Sequence, residues 1–186
     1  MSSVVDICNR ALDKLGHGAI TSLTDGTKAS ALCNRAWGIV RDQVLRDHPW
    51  NFAVVRTTTA PSTTTPSWGF AYQHPVPSDL LRLIEVRDMG AGEYQVEGNN
   101  ILANDDVLYI RYIARITDPV KFDSLFVDAV SSRLAYELCE SLTQSNTKRN
   151  ILWEEYVDGL TRAKRADAQE NPPMVLEEDD WVNARY

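Results

Sequence analysis

Val107-Leu108-Tyr109-Ile110-Arg111-Tyr112-Ile113-Ala114-Arg115-Ile116 is the stretch that decides the fold. Leu108, Ile110, Tyr112, Ala114 and Ile116 alternate with Val107, Tyr109, Arg111, Ile113 and Arg115. That alternation is the period of a strand, with one apolar and one mixed face. Just before it, Tyr94-Gln95-Val96-Glu97 is predicted to return as Asn100-Ile101-Leu102-Ala103 in a hairpin, because Gly98-Asn99 can take the positive φ values of a two-residue turn. All of 51–116 shares this texture, with β-branched and aromatic residues in short runs broken by Pro61, Pro66, Pro75, Pro77, Gly90, Gly92 and Gly98. A small antiparallel β region is expected there. The run from Thr57 to Ser67, rich in Thr, Ser and Pro, is expected to be a mobile loop.

On either side the period changes from two to that of a helix. Val4, Cys8, Ala11, Leu12 and Leu15 fall on one helical face, with Ser3-x-x-Asp6 as a capping box and Gly16 as the stop. Residues 28–47 repeat the pattern through Ala29, Leu32, Cys33, Ala36, Val40 and Val44, and end at His48-Pro49 because a residue before proline avoids helix. Downstream, Asp118-Pro119 suits a cap followed by a first-turn proline, so a third helix is expected over about 119–143. A fourth begins after Ser145-Asn146, with Leu152, Tyr156, Leu160 and Ala163 on one stripe and Trp153 and Val157 beside it. Its apolar sector is wider than one seam needs. Asn171-Pro172-Pro173 ends it. The reading is α+β: a four-helix bundle with an inserted small antiparallel β region and an extended C-terminal tail. Residues 1–186 form a single domain in it, with bundle helices in 1–50 and 117–170, the β insertion at 51–116 and the tail at 171–186.

Composition narrows the chemistry. With 19 Lys and Arg against 26 Asp and Glu, the net charge is -7, so a tight grip on phosphates would need a strongly localised basic patch. None is visible, since Arg162, Lys164 and Arg165 are interleaved with Asp158 and Asp167 as on a solvated helix face. Cys8, Cys33 and Cys139 are odd in number and fit no C-x-x-C pattern, which argues against a disulfide framework or a zinc site and for a reducing place of folding. Neither a signal peptide nor a membrane span is expected.

Catalytic signatures are missing from the sequence: there is no G-x-S-x-G elbow, P-loop, G-x-G-x-x-G turn or H-E-x-x-H helix. His17, His48 and His74 each stand alone, without a local metal-ligand partner. Asp105-Asp106, Glu154-Glu155 and the run from Glu177 to Asp180 are the visible paired carboxylates, and they read as a turn, an outer helix face and an exposed tail. No catalytic residue, cofactor or metal site is therefore expected. Rings cluster in His48-Pro49-Trp50-Asn51-Phe52 and in Trp68-Gly69-Phe70-Ala71-Tyr72, and most such rings belong to a core. Trp181, Val182 and Tyr186 lie beyond the double proline and the acids, where an aromatic suits an anchor on a partner.

Several segments together resemble one family. They are Asp6-Ile7-Cys8-Asn9-Arg10-Ala11-Leu12-Asp13-Lys14-Leu15-Gly16 with Ile20-Thr21-Ser22-Leu23, and Val40-Arg41-Asp42-Gln43-Val44-Leu45-Arg46-Asp47-His48-Pro49-Trp50-Asn51-Phe52-Ala53. They continue with Trp68-Gly69-Phe70-Ala71-Tyr72-Gln73-His74-Pro75-Val76-Pro77-Ser78-Asp79-Leu80-Leu81-Arg82, Tyr94-Gln95-Val96-Glu97-Gly98-Asn99 and Arg133-Leu134-Ala135. In order, and over nearly the whole chain, these resemble the podovirus tail tubular protein A family of phage head-to-tail adaptors. Pro75-Val76-Pro77-Ser78 stands where Pro-Leu-Pro-Ala is commoner, and His48 and Gln43 are variants.

What the resemblance implies is a structural protein of the bacteriophage virion, made in the host cytoplasm and placed at the head-tail junction. It implies a homo-oligomeric ring, a dodecamer, acting as connector between the portal protein and the tail nozzle protein and passing double-stranded DNA without sequence specificity or membrane contact. Trp181, Val182 and Tyr186 are then the expected portal-docking residues, and Trp153 and Val157 the expected subunit interface. The alternatives are a virion-associated cell-wall hydrolase using Glu154, Glu155 or Glu177, and a ligand-binding helical module.

Overall fold

Capping decides where the helices start. In the computed structural model, which describes residues 3–170, Ser3 and Asp6 form the predicted capping box and open α1 (Val4–Leu15), while Gly16 closes it in the left-handed region at φ +70°. Thr27 caps α2 (Lys28–Asp47), which stops at His48, whose extended backbone (φ -146°, ψ 145°) suits the proline after it. After a 3-10 turn at Asn51–Ala53 come six strands: β1 (Val54–Thr59), β2 (Tyr72–Pro75), β3 (Leu80–Val86), β4 (Tyr94–Glu97), β5 (Asn100–Ala103) and β6 (Leu108–Ala114). Then α3 (Ser124–Thr143) and α4 (Asn146–Gln169) complete the described chain. Four helices with an inserted small antiparallel β region is the predicted class; that its strands divide into two three-stranded sheets is a finding of the structure.

Three boundaries differ from the sequence reading, each for a local reason. Asp118 and Pro119 cap only a 3-10 turn at Pro119–Lys121, because Asp123 offers a better cap: its Oδ1 accepts from the N–H groups of Leu125 and Phe126. The third helix therefore starts at Ser124 rather than near 119. Thr57, Thr58 and Thr59, assigned above to a loop, lie in β1 and pair with Ile110, Tyr109 and Leu108, since β-branched Thr favours the pleat. In the hairpin from β4 to β5 only Gly98 takes a positive φ (+56°), which suits a turn with glycine at its first central position.

Helix α3 is the hub, packing against α1, α2 and α4. Its buried residues, among them Phe126, Val127, Val130, Leu134 and Leu138, run round most of its circumference, as a helix enclosed by others requires. Trp50 is buried against Phe126 with ring centroids 5.1 Å apart, and its indole N–H donates to the Val44 carbonyl at 2.9 Å. That seals the end of α2.

The sheets have the orders β1-β6-β3 and β2-β5-β4, all antiparallel. Leu108, Ile110, Tyr112 and Ala114 of β6 join Ile101 and Ala103 of β5 in a second core between the sheets. The face predicted to be mixed is so because the helices cover only one end of it: Ile113 is buried in the helical core, while Arg111 is half-buried and Tyr109 exposed. Two further ties dock the sheet on α2, with the Arg46 guanidinium donating to the Leu81 carbonyl and Arg115 Nε to Asp42 Oδ2 at 2.8 Å.

Candidate interaction surfaces

Beyond Ile113, where the helices end, the uncovered half of the first sheet carries three arginines, two on strands and one just past the end of a third. Arg56 on β1 sits directly across from Arg111 on β6, and Glu85 on β3 pairs Arg111 from the other side. Arg87 follows β3, its N–H donating to the Tyr109 carbonyl at 2.8 Å and its guanidinium 6.0 Å from the centre of the Tyr109 ring. Together with Thr57, Thr58, Tyr109 and Ile110 they line an open groove of about 450 Å³. A localised basic patch thus exists where the sequence reading found none.

Its charges are only partly answered. Glu85 Oε1 lies 3.1 Å from Arg111 Nε, yet this is a Coulombic contact without hydrogen-bond alignment, and the buried Arg111 Nε has no hydrogen-bond partner among the described residues. Arg87 pairs with its exposed neighbour Asp88 at 3.2 Å, a pair worth little in solvent. Arg56 makes no ion pair among the described residues. Like charges facing each other across a ladder are destabilising, so the geometry favours an anion between them.

A second surface runs along α4. Trp153 and Val157, one helical turn apart, are 44% and 42% exposed. Trp153 leans on Tyr136 of α3 (centroids 5.0 Å) and on Tyr156 (5.5 Å), and Arg133 lies 5.1–5.9 Å from the centres of all three rings. Arg133 is itself held by Glu137 at 3.3 Å and by Gln43 Oε1 of α2 at 3.2 Å. The result is a pre-ordered, amphipathic aromatic flank of the kind enriched at protein interfaces. Trp181, Val182 and Tyr186, the other interaction residues named from sequence, lie outside the described residues, as does the run from Glu177 to Asp180.

The remaining sequence candidates are dispersed. His17 is exposed. His74 is buried, with Nε2 2.9 Å from the Asp105 carbonyl and Nδ1 3.4 Å from Thr59 Oγ1. A carbonyl only accepts, so Nε2 donates there, while the Thr59 hydroxyl meets Nδ1, tying the two sheets together. His48 Nε2 lies 2.9 Å from Asp167 Oδ2, while Asp167 Oδ1 accepts from the Asn51 N–H at 2.9 Å. Asp167, placed from sequence on a solvated face, is therefore a structural clasp between α4 and the start of the β region. Trp68, expected in a core, is 86% exposed because it sits in the connection between β1 and β2, outside either hydrophobic cluster.

Glu154 is exposed on the outer side of α4, and Glu155 pairs with Lys14 at 3.2 Å. Glu155 shares an open groove with Asp128 and Asp158, but Lys14, Arg162 and Arg165 line it too, so the carboxylates there are balanced by cations. All three cysteines are free and buried, and the Cys8 thiol is pushed up from its ordinary range by its hydrogen bond with Cys33 and by burial. Among the described residues no cluster of His, Cys, Asp or Glu has the makings of a metal site, and no helix is long and apolar enough to cross a membrane.

No family model matches the chain, and no curated protein matches it. This overturns the viral vocabulary drawn from the resemblance. Bacteriophage, virion, head-tail adaptor, tail tubular protein, connector, portal-binding and viral assembly are withdrawn as descriptions of this protein, and what stands is an α+β fold with two surfaces of different chemistry, one basic and one aromatic.

Proposed function

We propose that this chain is a non-catalytic assembly subunit, which joins copies of itself into a closed ring and works through its surfaces rather than through a reaction. The observation that carries the reading is the flank of Trp153 and Val157, two large apolar side chains exposed on a helix beside a stripe, Leu152, Tyr156 and Ala163, that is already buried. A closed ring needs two complementary flanks on each subunit, and a pre-ordered aromatic anchor is what one of them uses.

The test is the oligomeric state of the full chain by sedimentation velocity, with electron microscopy of any large species. Rings are expected from the native sequence. Trp153→Ala combined with Val157→Asp is expected to abolish them while leaving the subunit folded, with an unchanged far-ultraviolet circular dichroism spectrum, since neither side chain belongs to a hydrophobic cluster. A chain that stays monomeric over the accessible concentration range, or rings that survive the double substitution, would overturn the proposal.

A further inference from the structure

We propose that the groove of Arg56, Arg87 and Arg111 is the docking site for this chain's own acidic run, Glu177-Glu178-Asp179-Asp180, bound within the same subunit. The proposal stands apart from ring formation, since it concerns a different face of the molecule. Three observations lead to it.

The first is charge. In a chain of net charge -7 the groove gathers three arginines against one lining carboxylate, Glu85, which pairs with Arg111; Arg56 makes no ion pair among the described residues, and Arg87 pairs only with its exposed neighbour Asp88. Four consecutive carboxylates match that need, because a guanidinium takes a carboxylate through two parallel N–H···O bonds.

The second is where the described chain ends. Asn51, just before β1, holds the end of α4: its Nδ2 donates to the Asp167 carbonyl at 2.7 Å and to Glu170 Oε2 at 3.3 Å. The chain thus leaves α4 at the foot of the strand that carries Arg56.

The third is reach. From Asn51 to Arg56 is at most about 18 Å along an extended strand, and the chain from Glu170 to Glu177 spans up to about 25 Å. The acidic run therefore reaches the groove without strain. A tethered ligand of this kind has an effective concentration on the order of millimolar, enough to occupy a site of modest intrinsic affinity.

The experiment uses the full-length chain labelled with nitrogen-15, and reads the arginine side-chain Nε–H signals and the binding of a short DNA duplex as a competing polyanion. Neutralising the run (Glu177→Gln, Glu178→Gln, Asp179→Asn, Asp180→Asn) is expected to shift the Arg56 and Arg111 signals. It is also expected to raise duplex affinity about tenfold or more at low salt, as an intramolecular competitor is removed. With Arg56→Gln and Arg111→Gln also present, that gain is expected to vanish; both are partly exposed, and an unchanged melting temperature shows the fold intact. Arginine signals that do not move on neutralising the run would overturn the proposal. So would a native chain that binds the duplex as tightly as the neutralised one through the same arginines, which would make the groove a nucleic-acid site. Signal shifts that appear only at concentrations where subunits associate would overturn the intramolecular version.

Discussion

Asp167 shows most clearly what a single residue can hide in a sequence. It stands among Arg162, Lys164 and Arg165 and reads as one more surface charge, yet it accepts from Asn51 and faces His48, residues more than a hundred positions earlier. Removing it takes away the carboxylate that faces the His48 ring and accepts from the Asn51 N–H, at a site where the Asp167 side chain is only 11% exposed, which costs more than losing a surface ion pair. Asp167→Ala is expected to destabilise the fold by about 1–3 kcal/mol in urea unfolding. A loss no larger than that of Asp158→Ala, on the exposed side of the same helix, would show that the clasp is incidental. The arginines of the groove were invisible for the same reason. Arg56, Arg87 and Arg111 are far apart in sequence, and only the register that sets Arg56 against Arg111 and Glu85 against Arg111 makes them one patch. Trp153 and Val157 were legible, because they sit one turn apart beside an already complete stripe.

Elements were readable where a periodicity is strong and blurred where a local cap competes. The alternation of β6, the stripes of α1 and α4 and the stop at His48-Pro49 each follow from a pattern within a dozen residues, so they needed no tertiary knowledge. The start of α3 did, in a small way, because two Asp residues a few positions apart both offer a cap and only the chain path selects Asp123. The burial of Ile113 was beyond reach, since nothing in the strand says that helices cover one end of its mixed face. That makes β6 a strand shared between two cores, with Ile113 in the helical one and Ile110 in the other. Ile113→Ala is expected to cost about 2–5 kcal/mol, as for other large-to-small changes in a packed interior. Because it removes contact between strand and helices, it is also expected to speed amide exchange in α2 and α3 as well as in β6. Exchange raised in the strands alone would show that the β region is stabilised independently of the helices.

For the whole molecule, two buried phenols, one in each core, make stability fall together at high pH. Tyr112 of β6 donates to Asp79 Oδ1 at 3.1 Å; burial first, and then that bond to a carboxylate, push its pKa up to about 12. Tyr156 of α4 donates to Asp47 Oδ2 at 2.8 Å and is raised for the same two reasons in the same order. In the unfolded chain both phenols ionise near 10. Below that value folded and unfolded chains carry the same protons on these groups, and the full stabilisation is present. Above it the unfolded chain sheds protons that the folded chain keeps, so stability declines as pH rises from about 10 through about 12. The loss continues beyond that point as long as Tyr156 holds its proton. Lysines also titrate in this window, so the comparison that isolates the phenols is with Tyr112→Phe and Tyr156→Phe. Each is expected to be less stable than the native chain at pH 8 by about 1 kcal/mol, the net worth of a hydrogen bond, and to show a shallower decline in unfolding free energy between pH 10 and pH 12. Both Phe variants declining as steeply as the native chain would mean that neither proton is held by the fold. If only Tyr156→Phe flattened the curve, the alkaline sensitivity would belong to the helices alone, and the Tyr112–Asp79 bond would contribute nothing to holding the sheet.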